Sequence, residues 1–377
     1  MKYQSELRKK RNFNPDVMLR KQDRKAGIDG TILIARSDLY FAAERELRLF
    51  LRKCIRNVSP REFFWVHTKD EQDLPITPTR YKGIVNFQRI NDIQRLDNWL
   101  KNVNYRLLNG MVHVVHVETK QQRKKRILAK YPPVIRSLHY SMDFVFKRFF
   151  PKWGPTRRLY HKINKGRNRV MSLAETMGRL SAAGFAIVDH MSFGGKTWIV
   201  TCKKGAPSGK KVSMGAICRL KRIGLGRKAF NVYKLRTMHP YSEFIQDFVM
   251  EQNKLRENGK VENDYRITRW GGWMRRFWID ELPMLVNWLK GEMKLVGVRP
   301  LSRSYFDLYP KELQDLRIRV KPGLVPPYYA DMPQTQQEIY QSEKNYIKSY
   351  LKNPVRTDVT YFSKAIWNII FRGARSS

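Results

Sequence analysis

The chain has 377 residues, with 74 Lys and Arg against 33 Asp and Glu, a formal net charge of +41. Hydrophobic residues make up 42% and aromatics 12%, which excludes a disordered polycation and gives a length prior of roughly two or three domains. The charge asks for a polyanionic partner: nucleic acid, an anionic membrane surface or a phosphorylated small molecule.

Residues 1–36 read as a basic N-terminal arm, opening "MKYQSELRKKRNFNPD". It has no apolar h-region, so a signal peptide is not expected. Over 37–206 the pattern predicts a helix at 38–56, strands at 62–68 and 81–87, a helix over 92–110 ending on Gly110, and a strand at 111–119. A helix over 172–185 follows, with Ser172 as N-cap and Glu175 completing a capping box. A hairpin around Gly194 and Gly195 comes last. Strand alternating with helix predicts an α/β domain with a largely parallel sheet. The order of elements, and the "GRL…AAGFAIVD…GGKTWIVTCKK" ending, resemble the C-terminal half of a class I methyltransferase-like domain. The glycine-rich cofactor loop is missing: "AGIDGTILIA" (26–35) has two glycines but not the fingerprint. The resemblance therefore implies a degenerate domain acting as scaffold.

An insertion at 120–168 interrupts this domain. It begins with the basic run "KQQRKKR". In "VIRSLHYSMDFVFKRFFPKW" (134–153), Val134, Ile135, Leu138, Met142, Val145, Phe146, Phe149, Phe150 and Trp153 recur at helical spacing. Arg136, His139, Lys147, Arg148 and Lys152 lie among them. Two readings stand: a helix in a membrane interface, or an amphipathic helix packed on the protein core. No uncharged apolar stretch approaches the roughly 18 residues of a full span. Cys54, Cys202 and Cys218 fit no zinc or redox spacing, and a reducing compartment is expected.

Pro207-Ser208-Gly209 marks a change of composition and the start of a second domain, 207–377. "GAICRLKRIGLGRKAFNVYKLRTM" (215–238) predicts a strand pair around Gly224 and Gly226. In "FWIDELPML" (277–285) two carboxylates, Asp280 and Glu281, stand among cations: Arg266, Arg269, Arg275 and Arg276 before them, Lys290, Lys294, Arg299 and Arg303 after. Pro283 suits the first turn of a helix and Gly291 its end, so the pair lies at a helix N-terminus. One reading is structural: Asp280 caps the helix and Glu281 complements its dipole. The other is chemical. The excess of cations suits a diphosphate, whose oxygens arginine forks match. Mg²⁺ needs only one or two carboxylates beside phosphate oxygens and water. A carboxylate can also attack an activated phosphoryl group directly.

"KLRTM", "ITRWG…RR…IDELPMLVNWLKGEMKLVGVRP", "RIRVKPG" and "TDVTYFSKAIWNIIFRGA" together resemble the bacterial sugar transferases, the monotopic polyprenyl-phosphate phosphoglycosyl transferases, over about 210–377. The resemblance implies an α+β phosphoglycosyl-transferase domain with amphipathic helices. It implies that Asp280 attacks the β-phosphate of a UDP-sugar, that uridine monophosphate leaves, and that Glu281 holds Mg²⁺. A polyprenyl phosphate then takes the phosphosugar, initiating a surface polysaccharide. Arg236 and Arg299 match phosphate-side arginines of the family motifs. Arg269, Arg275, Lys234, Arg317 and Lys321 are further phosphate-binding candidates, with structural pairing open for each. Asn287 matches a polar motif position. The sequence departs from the family at Met284, where members carry Gln, at Val298, where they carry Pro, and after "KPG", where "LVPPYYADMP" replaces a Thr-Gly turn.

Members also begin with an apolar re-entrant helix, and "KKGAPSGKK" before residue 215 cannot serve as one. The 134–153 helix and 361–373 are the expected substitutes, on an anionic membrane surface at the cytoplasmic face of a bacterial inner membrane. Two other functions remain: a silent scaffold in a glycan-assembly complex, and a nucleic-acid-binding protein. No nucleic-acid-binding motif is visible, so nucleic acid is not the expected partner.

Overall fold

The computed structural model describes residues 45–55, 62–70, 72, 74, 81–150, 154–164, 167–210, 212–252 and 264–373. The expected arm and the glycines of 26–35 lie outside them. The described residues form two compact units. One runs to Val212 and includes Tyr241–Phe248; the other comprises Ser213–Pro240 and the chain from Val249 on.

In the first unit, α1 (Arg45–Cys54) precedes β1 (Phe63–Val66) and β2 (Gly83–Arg89); α2 (Leu96–Tyr105) leads to β3 (Val112–Val117). After α3 (Lys120–Lys130), α4 (Pro133–Phe144) and α5 (Gly154–Asn164) come α6 (Leu173–Ala182) and the hairpin β4 (Phe185–Phe193) and β5 (Lys196–Lys203). The sheet order is β1-β2-β3-β5-β4. The pairs β1/β2 and β2/β3 are parallel, while β5 is antiparallel to both its neighbours. β1, β2, β3 and β4 therefore run one way and β5 alone the other, because the two-residue turn at Gly194 (φ 55°) and Gly195 (φ 73°) folds β5 straight back between β3 and β4. The near-continuous burial of β2 and β3 is that of strands covered on both faces. Phe50, Trp65, Val85, Val114, Trp198 and Val200 pack in the cluster on one of those faces.

Several local expectations shift. The helix expected over 92–110 is shorter, because Asp92 folds into a 3₁₀ turn and pairs with Arg89. Ser172 does accept from the Glu175 backbone N–H, at 3.1 Å. The Glu175 carboxylate, however, is buried between Arg148 and Arg179 and closes no capping box. The helix expected over 134–153 is α4 followed by a π-helical turn, Val145–Phe149. Its apolar residues divide: Phe146 packs on Phe150 and Tyr160, while Val134, Ile135, Leu138, Met142 and Val145 are exposed.

In the second unit, β6 (Ile217–Ile223) and β7 (Ala229–Leu235) form the expected antiparallel hairpin. The helices α7 (Arg269–Arg276), α8 (Leu285–Leu289), α9 (Lys311–Arg317), α10 (Gln336–Lys352) and α11 (Pro354–Phe371) surround it in sequence, together with a short parallel pair, β8 (Lys294–Val296) and β9 (Gly323–Val325). That pair explains the glycines of "LVGVRP" and "VKPG". A Cβ on Gly323 would lie 2.1 Å from the Gly297 nitrogen, and one on Gly297 2.8 Å from the Gly323 nitrogen. Two of the departures from the family pattern are core positions. Met284 packs with Val232 and Met293, and Val298 with Val296, Leu301 and Tyr346.

Candidate active site

The carboxylates are presented by a turn that begins at Trp278. Its backbone is left-handed, φ 55°, a conformation that bulky residues adopt only when the surroundings impose it. Here the indole Nε1–H donates to the Tyr329 hydroxyl at 2.9 Å and the two rings meet edge to face. The reversal ends α7 and starts a 3₁₀ helix, Ile279–Met284, with Asp280 and Glu281 in its first turn. Trp278 occupies the N-cap position and no side chain caps this end, so the capping role considered for Asp280 is not filled.

Asp280 is 7% exposed. Its Oδ1 is buried and has no hydrogen-bond partner among the described residues, an arrangement that native structures largely avoid outside functional sites. Burial raises its pKa above the ordinary carboxylate range; Lys234 pulls it down, Glu281 pushes it up and Arg275 pulls it down, with a net rise. Glu281 accepts from Lys234 Nζ at 2.6 Å.

Lys234 sits on β7, and Asn287 of α8 sets the placement of that strand. The Asn287 side chain is fully buried. Its Oδ1 accepts from the Tyr233 N–H at 3.1 Å, and its Nδ2 donates to the Asn231 carbonyl and to Glu292 Oε2, both at 2.7 Å. One amide thus ties the strand carrying Lys234 to the helix that follows the carboxylates. The sequence marked Asn287 as a motif position without revealing this role, because its partners on β7 lie more than fifty residues away.

Arg275 approaches from α7, its Nε donating to Thr237 Oγ1 at 3.0 Å, and it exerts an electrostatic pull on Asp280. The approach needs Gly271, where a Cβ would sit 2.0 Å from the Thr237 carbonyl. Arg299 lies within electrostatic reach of Tyr328 and Glu281. Its carbonyl accepts from Arg317.

The other sequence-predicted residues have different attachments. Arg317 is buried, paired with Glu343 and stacked over Tyr309. Arg236 spends its guanidinium on the carbonyls of Gly215 and Ser213, at 2.9 and 2.7 Å. Arg269 is exposed at the start of α7. Lys321 is exposed, with its Nζ beside Gly291. The expected crowd of cations also disperses. Arg266 is bound to Asp264, Lys294 to Asp358, and Arg303 to Asp307.

For a divalent cation the donor set is a pair of adjacent carboxylates, one with an unpartnered buried oxygen. Among the described residues no group of three or more His, Cys, Asp or Glu could hold a metal. The pair fits an ion that takes its remaining ligands from phosphate and water, as Mg²⁺ does. The Lys234–Glu281 contact would have to share the Glu281 carboxylate with it.

Two buried or half-buried carboxylates on one turn thus lie within electrostatic reach of Lys234, Arg275 and Arg299. The chain matches the bacterial sugar transferase family model over residues 209–372. It is 37% identical over 120 residues to an uncharacterized sugar transferase of Haemophilus influenzae, covering 30% of this chain and 25% of that protein. It is 34% identical over 142 residues to the UDP-N-acetylgalactosamine-undecaprenyl-phosphate N-acetylgalactosaminephosphotransferase of Aeromonas hydrophila, covering 34% and 30%. It is 39% identical over 111 residues to the UDP-glucose:undecaprenyl-phosphate glucose-1-phosphate transferase of Caulobacter vibrioides, covering 29% and 38%. The chain thus spans less than two-fifths of the length of each of these relatives.

Proposed function

We propose that the chain is a phosphoglycosyl transferase that moves a phosphosugar from a UDP-sugar to a polyprenyl phosphate through a covalent intermediate on Asp280. The observation that carries the reading is Asp280 itself: a buried carboxylate on an imposed turn, one oxygen without a hydrogen-bond partner among the described residues, opposed by Lys234 and Arg275. The names of the Aeromonas and Caulobacter relatives, both undecaprenyl-phosphate sugar phosphotransferases, support the donor and acceptor classes.

In the first step an Asp280 oxygen bonds to the β-phosphorus of the donor, the bond from that phosphorus to the bridging oxygen breaks, and uridine monophosphate leaves with the bond electrons. In the second, an oxygen of the polyprenyl phosphate bonds to the same phosphorus and the Asp280 carboxylate is released. Arg275 and Arg299 bind phosphate oxygens and hold the reacting phosphorus in place. Lys234 favours the ionised form of Asp280 against the effect of burial, and it orients Glu281. Glu281 is the residue to hold Mg²⁺, with Asp280 beside it; the chemistry the ion supplies when bound is neutralisation of diphosphate charge. Arg236, Arg269, Arg317 and Lys321 serve the phosphates less directly, Arg317 by fixing the backbone at Arg299.

The acceptor requires a membrane. The second unit exposes Trp270, Trp273, Phe277 and Leu289 around the carboxylates in sequence, and Trp367, Ile370 and Phe371 at the end of α11. No helix among the described residues is long and apolar enough to cross a membrane. These exposed aromatics support attachment at the cytoplasmic face of a bacterial inner membrane. In the first unit, four strands running one way with a reversed β5 inserted between β3 and β4 support a methyltransferase-like scaffold. There Arg89, the last residue of β2, and Glu118, which follows β3, are paired to each other across the carboxyl ends where α/β sheets take ligands.

The reading is tested by uridine monophosphate release from UDP-sugars, with and without undecaprenyl phosphate. Wild-type protein is expected to release it and to transfer the phosphosugar. Asp280→Asn is expected to do neither, and equal release by both proteins would refute the reading.

A further inference from the structure

We propose that the outward face of α4, with the cations of α3 and α5, is the surface on which the first unit docks to an anionic lipid bilayer. The inference rests on the membrane part of the reading above and is independent of the chemistry at Asp280.

Between residues 120 and 164 Asp143 is the one acidic residue, and it fixes the rotation of α4. It receives Arg123 in bidentate fashion, at 2.7 and 2.8 Å, and Lys147 at 2.7 Å. His139 stacks on Tyr131, with centroids 4.0 Å apart, and Lys124 lies over Tyr140. These contacts turn one side of α4 toward α3. At about 100° per residue, Val134, Ile135, Leu138, Met142 and Val145 then share an arc on the other side. No residue of α4 is buried. Val134 is 90% exposed, Leu138 64% and Met142 66%. Leu159 and Ile163 of α5 are exposed as well. A helix held by its polar side with its apolar side in water inverts the usual arrangement, and exposed apolar patches of this kind mark interaction sites.

The surrounding charge selects the occupant. Lys124, Lys125 and Lys130 of α3, Arg136 of α4, and Arg158 and Lys162 of α5 are all exposed. An apolar stripe flanked by Lys and Arg fits a bilayer, with the stripe at the acyl boundary and the cations among anionic headgroups. A second copy of the chain would bring like charges together across the contact. A nucleic acid would use the cations and leave the apolar stripe uncovered.

The test uses the full chain with vesicles of phosphatidylcholine alone or mixed with phosphatidylglycerol. Hydroxyl-radical oxidation of Leu138 and Met142 is followed by peptide mass spectrometry. The proposal predicts severalfold protection by the mixed vesicles and none by phosphatidylcholine alone. Leu138→Glu or Met142→Glu should weaken binding by about tenfold or more; both positions are exposed, so both variants should fold. The protection should persist in Trp367→Glu, which alters only α11. Unchanged oxidation on mixed vesicles overturns the proposal. So does protection without lipid that grows with protein concentration and disappears in Leu138→Glu, since a second copy would then be the occupant. Adduct formation on Asp280, measured on the same Leu138→Glu protein in detergent, reports on the transferase reading separately.

Discussion

Asp280 and Glu281 are neighbours in sequence with different surroundings. Glu281 is paired to Lys234, whereas Asp280 is buried with one oxygen lacking a hydrogen-bond partner among the described residues. Replacing the nucleophile in Asp280→Asn is predicted to cut transfer by about 10⁴-fold or more. The same change should raise thermal stability at neutral pH. The folded pKa of Asp280 is raised above its unfolded value, so its favourable contribution is complete below the ordinary value near 3.8 and is lost as pH rises through the folded value. Wild type and Asp280→Asn should therefore melt further apart at pH 7 than in acid; a mutant less stable than wild type at pH 7 would contradict this. Lys234 lowers the Asp280 pKa. Removing it in Lys234→Met should move the acidic limb of the pH–rate profile upward, and an unmoved limb would rule out that coupling.

At the level of elements, the site depends on side chains that touch no substrate. Asn287→Ala empties a buried position and takes the part-buried partner from the Tyr233 N–H and the Asn231 carbonyl, at a predicted cost of about 1–3 kcal/mol in denaturant unfolding. Gly271→Ala forces a Cβ against the Thr237 carbonyl and should displace Arg275. The expected result is lower activity together with about 1–3 kcal/mol less stability. The hairpins around Gly194–Gly195 and Gly224–Gly226 were legible in the sequence because turn residues interrupt alternating runs. So was the position of Asp280 and Glu281 at the start of a helix, through Pro283 and Gly291. The left-handed Trp278 was not, because it follows from Tyr329, fifty residues on. The dispersal of the flanking cations was not legible either: linear spacing does not reveal that Arg266 turns back to Asp264 or that Lys294 reaches Asp358.

For the molecule as a whole, the proposed membrane attachment draws on the +41 charge and on the exposed apolar residues of α4 and α11. Attachment by cations and interfacial helices is salt-sensitive, since screening shortens the reach of the charges. A high-salt wash should release most of the protein from membranes, and retention through the wash would contradict peripheral attachment. The sequence left open whether the 134–153 helix was buried or interfacial, because its apolar spacing fits both; the Asp143 clamp, which decides which side of α4 is turned outward, is a tertiary feature. The central claim concerns Asp280, and intact-protein mass spectrometry after mixing with Mg²⁺ and a panel of UDP-sugars tests it most directly. A phosphosugar mass on wild-type protein, absent from Asp280→Asn, is the predicted result and would identify the sugar. A well-folded wild-type protein that gains no mass from any donor, or an adduct that persists in Asp280→Asn, would contradict it.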